Sequence, residues 1–330
     1  MFAVFLLSAT VSDAYADHAF DDSAFVTLQF DNDMFGGKDR HFTNGMRASY
    51  LSPAGKTPAL VRNIATQWPL FKPSQKMRIS YSIGQNIFTP EEISNPDPPR
   101  DDRPYAGWLF AGIGLVAAND QRLDKLELDI GVVGPYSFAD EVQTRWHDLI
   151  GITKPEGWGT QIKTEPGFAL FYERSWRRLR EFDLTGILPL ENLGADMTPH
   201  LGLALGNIFI HGAGGATFRF GDDLRNDFGT PKIRPNLPGT DFFEPDDGFG
   251  WYIFAGGEGR VVARNIFLDG NTFRDSRSVG KIPFVADFQT GFAITLWRAR
   301  LSYTQVFRTK EFNEQSGMSI FGTVALSMRF

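Results

Sequence analysis

No cysteine occurs among the 330 residues, which removes disulfide staples, thiolate nucleophiles and zinc-thiolate sites together. Histidine is scarce as well: His18, His41, His147, His200 and His211 are all the imidazoles the chain has. No apolar run reaches the roughly 18 residues that a spanning helix needs. Mean hydropathy is -0.21, so a helical membrane protein is excluded, while a barrel is not. Positive charge shows no surplus: 33 Lys and Arg against 39 Asp and Glu give -6, without the basic excess that nucleic-acid binding exploits. Tyr and Trp number 8 and 7 beside 31 Phe and 34 Gly, a balance of turns and strongly apolar surface unlike that of a helical bundle.

What is present begins with an apolar segment, residues 1–16, ending in Ala14, Tyr15 and Ala16. It reads as an export signal cleaved before Asp17, although the charged leading region is missing, as if the start lay inside a longer signal. Residues 17–330 are then a single exported domain, and export without cysteine suits a Gram-negative envelope protein. Throughout that domain the apolar residues recur with period two. Val26, Leu28 and Phe30 alternate with Phe25, Thr27 and Gln29; Leu126, Leu128, Ile130 and Val132 alternate with Glu127, Asp129 and Gly131. The last strand places Gly322, Val324, Leu326, Met328 and a terminal Phe330 on one face, the ending typical of outer-membrane barrels. The expected fold is therefore all-β, a transmembrane antiparallel β-barrel, with every strand hydrogen bond made inside the closed sheet.

Twelve strand-like segments are predicted, near 24–31, 45–53, 77–86, 105–118, 123–134, 163–176, 181–192, 197–209, 249–263, 284–297, 299–309 and 317–330. An even count puts both ends in the periplasm, with short turns at Asn119–Gln121 and Arg177–Arg180. The stretch 210–248 becomes a long periplasmic excursion. Connections after the first, third and fifth strands emerge outside, and they carry the chemistry. Around 32–44, Asn32, Asp33 and Thr43 crowd oxygen atoms onto one rim, as simple turn chemistry or as a site for a cation or an oxyanion. Around 87–104, Arg103 suits bidentate phosphate recognition, while Tyr105 and Trp108 read as an interfacial girdle. Around 135–162, Ser137 and Asp140 match a capping box. Val142, Trp146, Leu149 and Ile150 mark one helical face, and Gly151 is a stop signal. This short helix in an extracellular loop carries His147, with Gln143 one turn earlier and Trp158 and Gln161 soon after. His200 and His211 flank a strand with no carboxylate constellation beside them.

DNDMF (31–35) with DRHFTNG (39–45), IGQNIFTPEEI (83–93) with DDRPYAGWLFAG (101–112), and GVVGPYSFADEVQTRWHDLIG (131–151) with GWGTQI (157–162) together resemble the LpxR-type lipid A 3'-O-deacylases. These are calcium-dependent outer-membrane barrels. The resemblance implies twelve strands, an active site between the barrel wall and the outer leaflet, and hydrolysis of the ester that holds the 3'-linked acyloxyacyl group on lipid A. It implies lipopolysaccharide and outer-membrane lipids as partners, no nucleic acid, and a monomer. Carried over by position, the essential His falls on His147, the Asn-Asp pair on Asn32 and Asp33, and the Thr on Thr43. His147 would activate water, and Ca2+ would polarise the carbonyl. Arg103, Tyr105 and Gln161 are the candidates for substrate binding, and Asp33 and Glu156 for the metal. The chain departs from the pattern at Thr153, where the family has an acidic ligand. It departs again at Ser94–Asp97, where a basic pair is expected. The alternatives are an outer-membrane phospholipase, which needs a serine paired with His and Asn, and a non-catalytic barrel, either pore or structural protein.

Overall fold

The computed structural model describes residues 23–36, 41–68, 70–71, 77–186, 192–222, 224–225, 227–229, 243 and 248–330. The expected export signal, His18 and the side chain of His41 lie outside them. Thirteen strands are formed: β1 (Phe25–Asn32), β2 (His41–Leu51), β3 (Arg78–Thr89), β4 (Ala106–Ala118), β5 (Arg122–Val133), β6 (Glu165–Trp176), β7 (Arg180–Asp183), β8 (Leu193–Gly206), β9 (Phe209–Asp222), β10 (Phe249–Asn265), β11 (Phe284–Leu296), β12 (Ala299–Arg308) and β13 (Ser319–Arg329). From β1 to β6 and from β7 to β13 each strand pairs antiparallel with the next, β1 also pairs with β13, and β6 pairs with β8, so the sheet closes. Short β7 is the continuation of β6. Ser175 faces His200 and Arg180 faces Met197, so two extra residues bulge out between them, with Arg178 at φ 47°. The barrel therefore has twelve staves.

That count agrees with the sequence, but one member does not. The hairpin turn expected at 177–180 is absent: residues 177–179 form the bulge and Arg180 begins β7. Residues 210–222, expected in the periplasmic excursion, belong to β9, joined to β8 across Asn207 and Ile208. The outward positions of β9 include Gly212, Gly214 and Ala216, side chains too small to print an alternating hydropathy pattern. The turn at Asn119 is as expected, with its Oδ1 accepting from Gln121 N–H and Arg122 N–H.

Alternation sorts the wall into two faces. Leu28, Ile83, Ile130, Phe218 and Phe288 point out and are exposed, while Thr27, Gln29, Glu127, Asp129 and Asp287 point in and are buried. No helix among the described residues is long and apolar enough to cross a membrane, so crossing falls to the strands. Exposed Phe249, Trp297 and Phe330 ring the rim where β1 begins and β13 ends; Tyr136, Phe138 and Phe284 ring the other. Trp108 and Tyr105 are fully buried and belong to neither girdle. A short helix α1 (Ala59–Thr66) was not expected. Ala65 and Phe71 pack it against Met77, Ile79, Leu115 and Ala117 on the outer wall near the terminal rim.

The lumen is filled. Near the loop rim, Phe42, Phe88, Trp108, Phe209 and Phe321 form an apolar layer. A single turn, α3 (Ile266–Asp269), drops Phe267 into this layer to stack on Phe88 at 4.1 Å. Elsewhere in the lumen lie buried ion pairs, Arg308–Asp287 at 2.8 Å, Arg260–Asp287 at 3.1 Å, Arg300–Asp227 at 2.8 Å and Arg47–Glu127 at 2.8 Å. His200 contacts Glu258 at 3.0 Å within the same interior, so it does have a carboxylate beside it, but on the side of the wall away from lipid.

Candidate active site

The helix α2 (Ala139–Ile150) lies outside the barrel wall, over β3 and β4. It starts after Phe138 in a left-handed conformation, with no side-chain cap; Ser137 instead donates to the Gly134 carbonyl at 2.6 Å, so the expected capping box is not made. Asp140 and Glu141 in its first turn complement the helix dipole. Gly151 ends it in the left-handed region, as expected. Two contacts seat its leading end. Gln85 on the outer wall donates to the Ser137 carbonyl at 2.7 Å, and Gly107 presents only hydrogen where Ser137 and Ala139 press against it.

Between helix and wall is a slot of about 310 Å³. Phe30, Met34, Met46, Ile87, Val142, Trp146 and Leu149 give it apolar walls, and the Phe30 and Trp146 rings meet across it at 6.0 Å. Its polar end collects Asn32, Asp33, Thr43, Asn44, Gln143 and His147. Four residues expected to be catalytic, from three separated segments, thus converge. The wall achieves this by register. Asn32 and Asn44 face each other on the outer side of β1 and β2, and the register with β3 slips between Phe42 and Asn44. Thr43 is therefore the bulged residue, and its hydroxyl meets that of Thr89 at 2.7 Å. Bulges of this kind re-aim a side chain beside a site. Asn32 Oδ1 accepts from the Met34 N–H at 2.7 Å, which turns the chain into the 3-10 turn Asp33–Gly36 and holds the buried Asp33 at the slot.

His147 is buried, and its Nδ1 lies 2.5 Å from the Thr153 carbonyl. A carbonyl oxygen only accepts, so Nδ1 carries the proton and Nε2 is the basic nitrogen. The backbone at Thr153, which any side chain there would share, thus orients the imidazole. Gln143, one turn earlier on the same face, accepts from the Trp158 indole at 2.9 Å through Oε1. Its Nε2 is buried without a hydrogen-bond partner, as is Asn44 Oδ1. Neither Gln143 nor Asn44 carries an assigned role in the sequence; Asn44 faces outward in the same alternation as Met46 and Ala48, and the Thr43 bulge before it turns Phe42 into the lumen.

The expected substrate-binding residues lie elsewhere. Arg103 is fully buried, paired with Glu311 at 2.6 Å and flanked by the rings of Phe88 and Phe312. It ties two loops together and cannot reach a headgroup. Burial alone would raise the Glu311 carboxyl, but the guanidinium groups of Arg103 and Arg308 hold it below the ordinary glutamate value. Tyr105 donates to the Ile93 carbonyl at 3.0 Å and packs on Trp158. Gln161 ends the short turn Gly157–Thr160, outside the slot.

Calcium takes 6–8 oxygen ligands, carboxylates prominent among them. Among the described residues Asp33 is the one carboxylate that lines the slot, beside the side-chain oxygens of Asn32, Thr43 and Asn44, and Glu156 is exposed and away from it. Among the described residues no group of three or more His, Asp or Glu side chains converges. With one carboxylate, the described lining falls short of the donor set that a calcium ion commonly takes.

The sequence model of the family described as "Outer membrane protein LpxR" matches residues 1–330. Among solved structures, LpxR from Salmonella typhimurium superposes with a TM-score of 0.71 at 21% identity, covering 93% of this chain and 100% of that one. The β domain of the Bordetella autotransporter BrkA gives 0.41 at 8% identity, covering 93% and 98%. No curated protein matches the chain.

Proposed function

The chain belongs to the LpxR family and is a protein of the bacterial outer membrane; from that premise we propose that it is a lipid A deacylase whose active site is the slot under α2. The reaction is hydrolysis of the ester joining the 3'-linked acyloxyacyl group to the sugar. His147 Nε2 takes a proton from water as the water oxygen attacks the ester carbonyl. The imidazolium returns that proton to the sugar oxygen as the acyl carbon–oxygen bond breaks, giving a free sugar hydroxyl and a carboxylic acid. Thr153 holds the ring in the productive tautomer through the backbone contact at Nδ1. Asp33 supplies the negative charge that favours the transient imidazolium. Gln143 Nε2, fixed in orientation by Trp158, is the donor for the oxyanion. Asn32 and Thr43 shape the floor on which water sits.

One observation carries this reading: His147, Asn32, Asp33 and Thr43 share a single apolar slot that opens on the lipid-facing side of the wall. An ester of a membrane lipid reaches such a site without leaving the leaflet. No serine is among the described residues that line it, which favours water over a serine nucleophile and sets the phospholipase reading second. The filled lumen sets the pore reading aside. The test is mass spectrometry of lipid A and, separately, of phospholipid after incubation with the refolded barrel. Loss of one acyloxyacyl mass from lipid A, absent with His147→Ala, is expected; hydrolysis of phospholipid with lipid A intact would reverse the order of the two enzyme readings.

A further inference from the structure

Below the slot, the outer wall has a second depression of about 630 Å³, which shares Phe30 and Met46 with the slot. Strand register explains it. The outward residues of β3, β2, β1 and β13 form successive rows across the wall. Asn44 and Asn32 stand in the row at the catalytic level, and Met46 and Phe30 in the next. The third row reads Ile83, Ala48, Leu28, Leu326. Ala48 is a gap between Leu28 and Ile83, which stand 57% and 59% exposed on either side. In the fourth row Tyr50 faces Tyr81, both exposed, just past the residues that line the depression.

We infer that this trough seats one acyl chain of the lipid ester held in the slot and that the Tyr50–Tyr81 pair sets the chain length it accepts. The inference rests on the deacylase reading for the identity of the chain, and on geometry for its place. From Asn44 to Tyr50 is six residues, roughly 20 Å along a strand at about 3.4 Å per residue. With strands tilted by about 40°, that is a depth of about 15 Å. Half of the roughly 30 Å hydrocarbon core is the same figure. The rows from the reacting ester to the tyrosine pair therefore span about the length of one leaflet's acyl chain, and the depression is lined mainly by apolar side chains. Its continuity with the slot through Phe30 and Met46 selects a chain of the bound substrate as its occupant.

The test separates binding from turnover. Lipid A analogues carrying a hexanoyl or a myristoyl chain on the 3' ester are titrated calorimetrically into His147→Ala protein, with and without Ala48→Trp. Filling the gap is expected to weaken myristoyl binding roughly tenfold or more, since a single misplaced methylene in an apolar pocket already has an effect of about this size. Hexanoyl binding is expected to be unchanged. An equal effect on both analogues, or the same effect from Ile130→Trp on the lipid-facing wall beyond the trough, overturns the inference. Turnover by the wild-type barrel is read separately. Chain-length-dependent binding without hydrolysis would reject the deacylase reading and keep the trough.

Discussion

Replacing Gly107 by alanine adds one methyl group where α2 docks, and its consequence follows from the contacts there. On this outward position of β4 a Cβ would fall well inside contact distance of the Ser137 hydroxyl and the Ala139 Cβ. Neither neighbour is the loose end of a long side chain. Ser137 is fully buried and bonded to Gly134, and Ala139 opens the helix. To restore carbon contacts of about 3.5–4.0 Å, the leading end of α2 must retreat by about 1 Å or more. Gln143 and His147 ride on that helix, and a misplacement of about 1 Å is enough to lower a rate about 10²-fold. The expected outcome for Gly107→Ala is a loss of that order in kcat/KM on lipid A, with heat-modifiable migration still reporting a closed barrel. Adding Ser137→Ala and Ala139→Gly makes room and is expected to recover most of the loss. Wild-type activity in Gly107→Ala would refute the claim that the seating of α2 sets the site.

Gln143→Glu keeps an acceptor for Trp158 but removes the amide donor, and a fall in kcat of about 10²–10³ is expected from steady-state kinetics. Arg103→Ala leaves Glu311 buried beside a more distant Arg308, at 3.7 Å. A loss of about 3–5 kcal/mol of stability is expected in chemical unfolding. Because the folded Glu311 carboxyl titrates below its ordinary value of 4.5, its contribution is fully present above that value. It is lost as the pH falls through the lowered folded value, so unfolding midpoints of wild type and Arg103→Ala are expected to converge in strong acid. Exhaustive chelation is expected to leave lipid A hydrolysis intact, given the single carboxylate among the described residues that line the slot; a strict calcium requirement would show that the amide and hydroxyl oxygens beside Asp33 complete a metal site. A planar bilayer containing the barrel is expected to show no steady ion conductance.

Much of this was legible in the sequence, where the physics is local. Alternation in β1, β5 and β13 marked the two faces of the wall, and Asn32, Asp33, Thr43 and His147 stood out as chemistry-bearing residues in three loops. What escaped was non-local or masked by small side chains. Gly212, Gly214 and Ala216 hid β9, and the bulge at Arg178 passed for a turn. Arg103 looked like a free phosphate grip because its partner, Glu311, lies 208 residues away. The inward turn of Phe42 follows from a one-residue slip between β2 and β3 that no local pattern announces. The trough at Ala48 required four strands in register before a single small residue became a gap.

The central claim is that this barrel deacylates lipid A through His147, and intact cells test it most directly. The protein is expressed in the outer membrane of a Gram-negative host whose own lipid A keeps its 3' acyloxyacyl group, and the lipid A is extracted for mass spectrometry. Loss of that one group with the wild-type protein, and its retention with His147→Ala folded at the same level, is the predicted result. An unaltered spectrum with folded wild-type protein, or the same loss with His147→Ala, would contradict it.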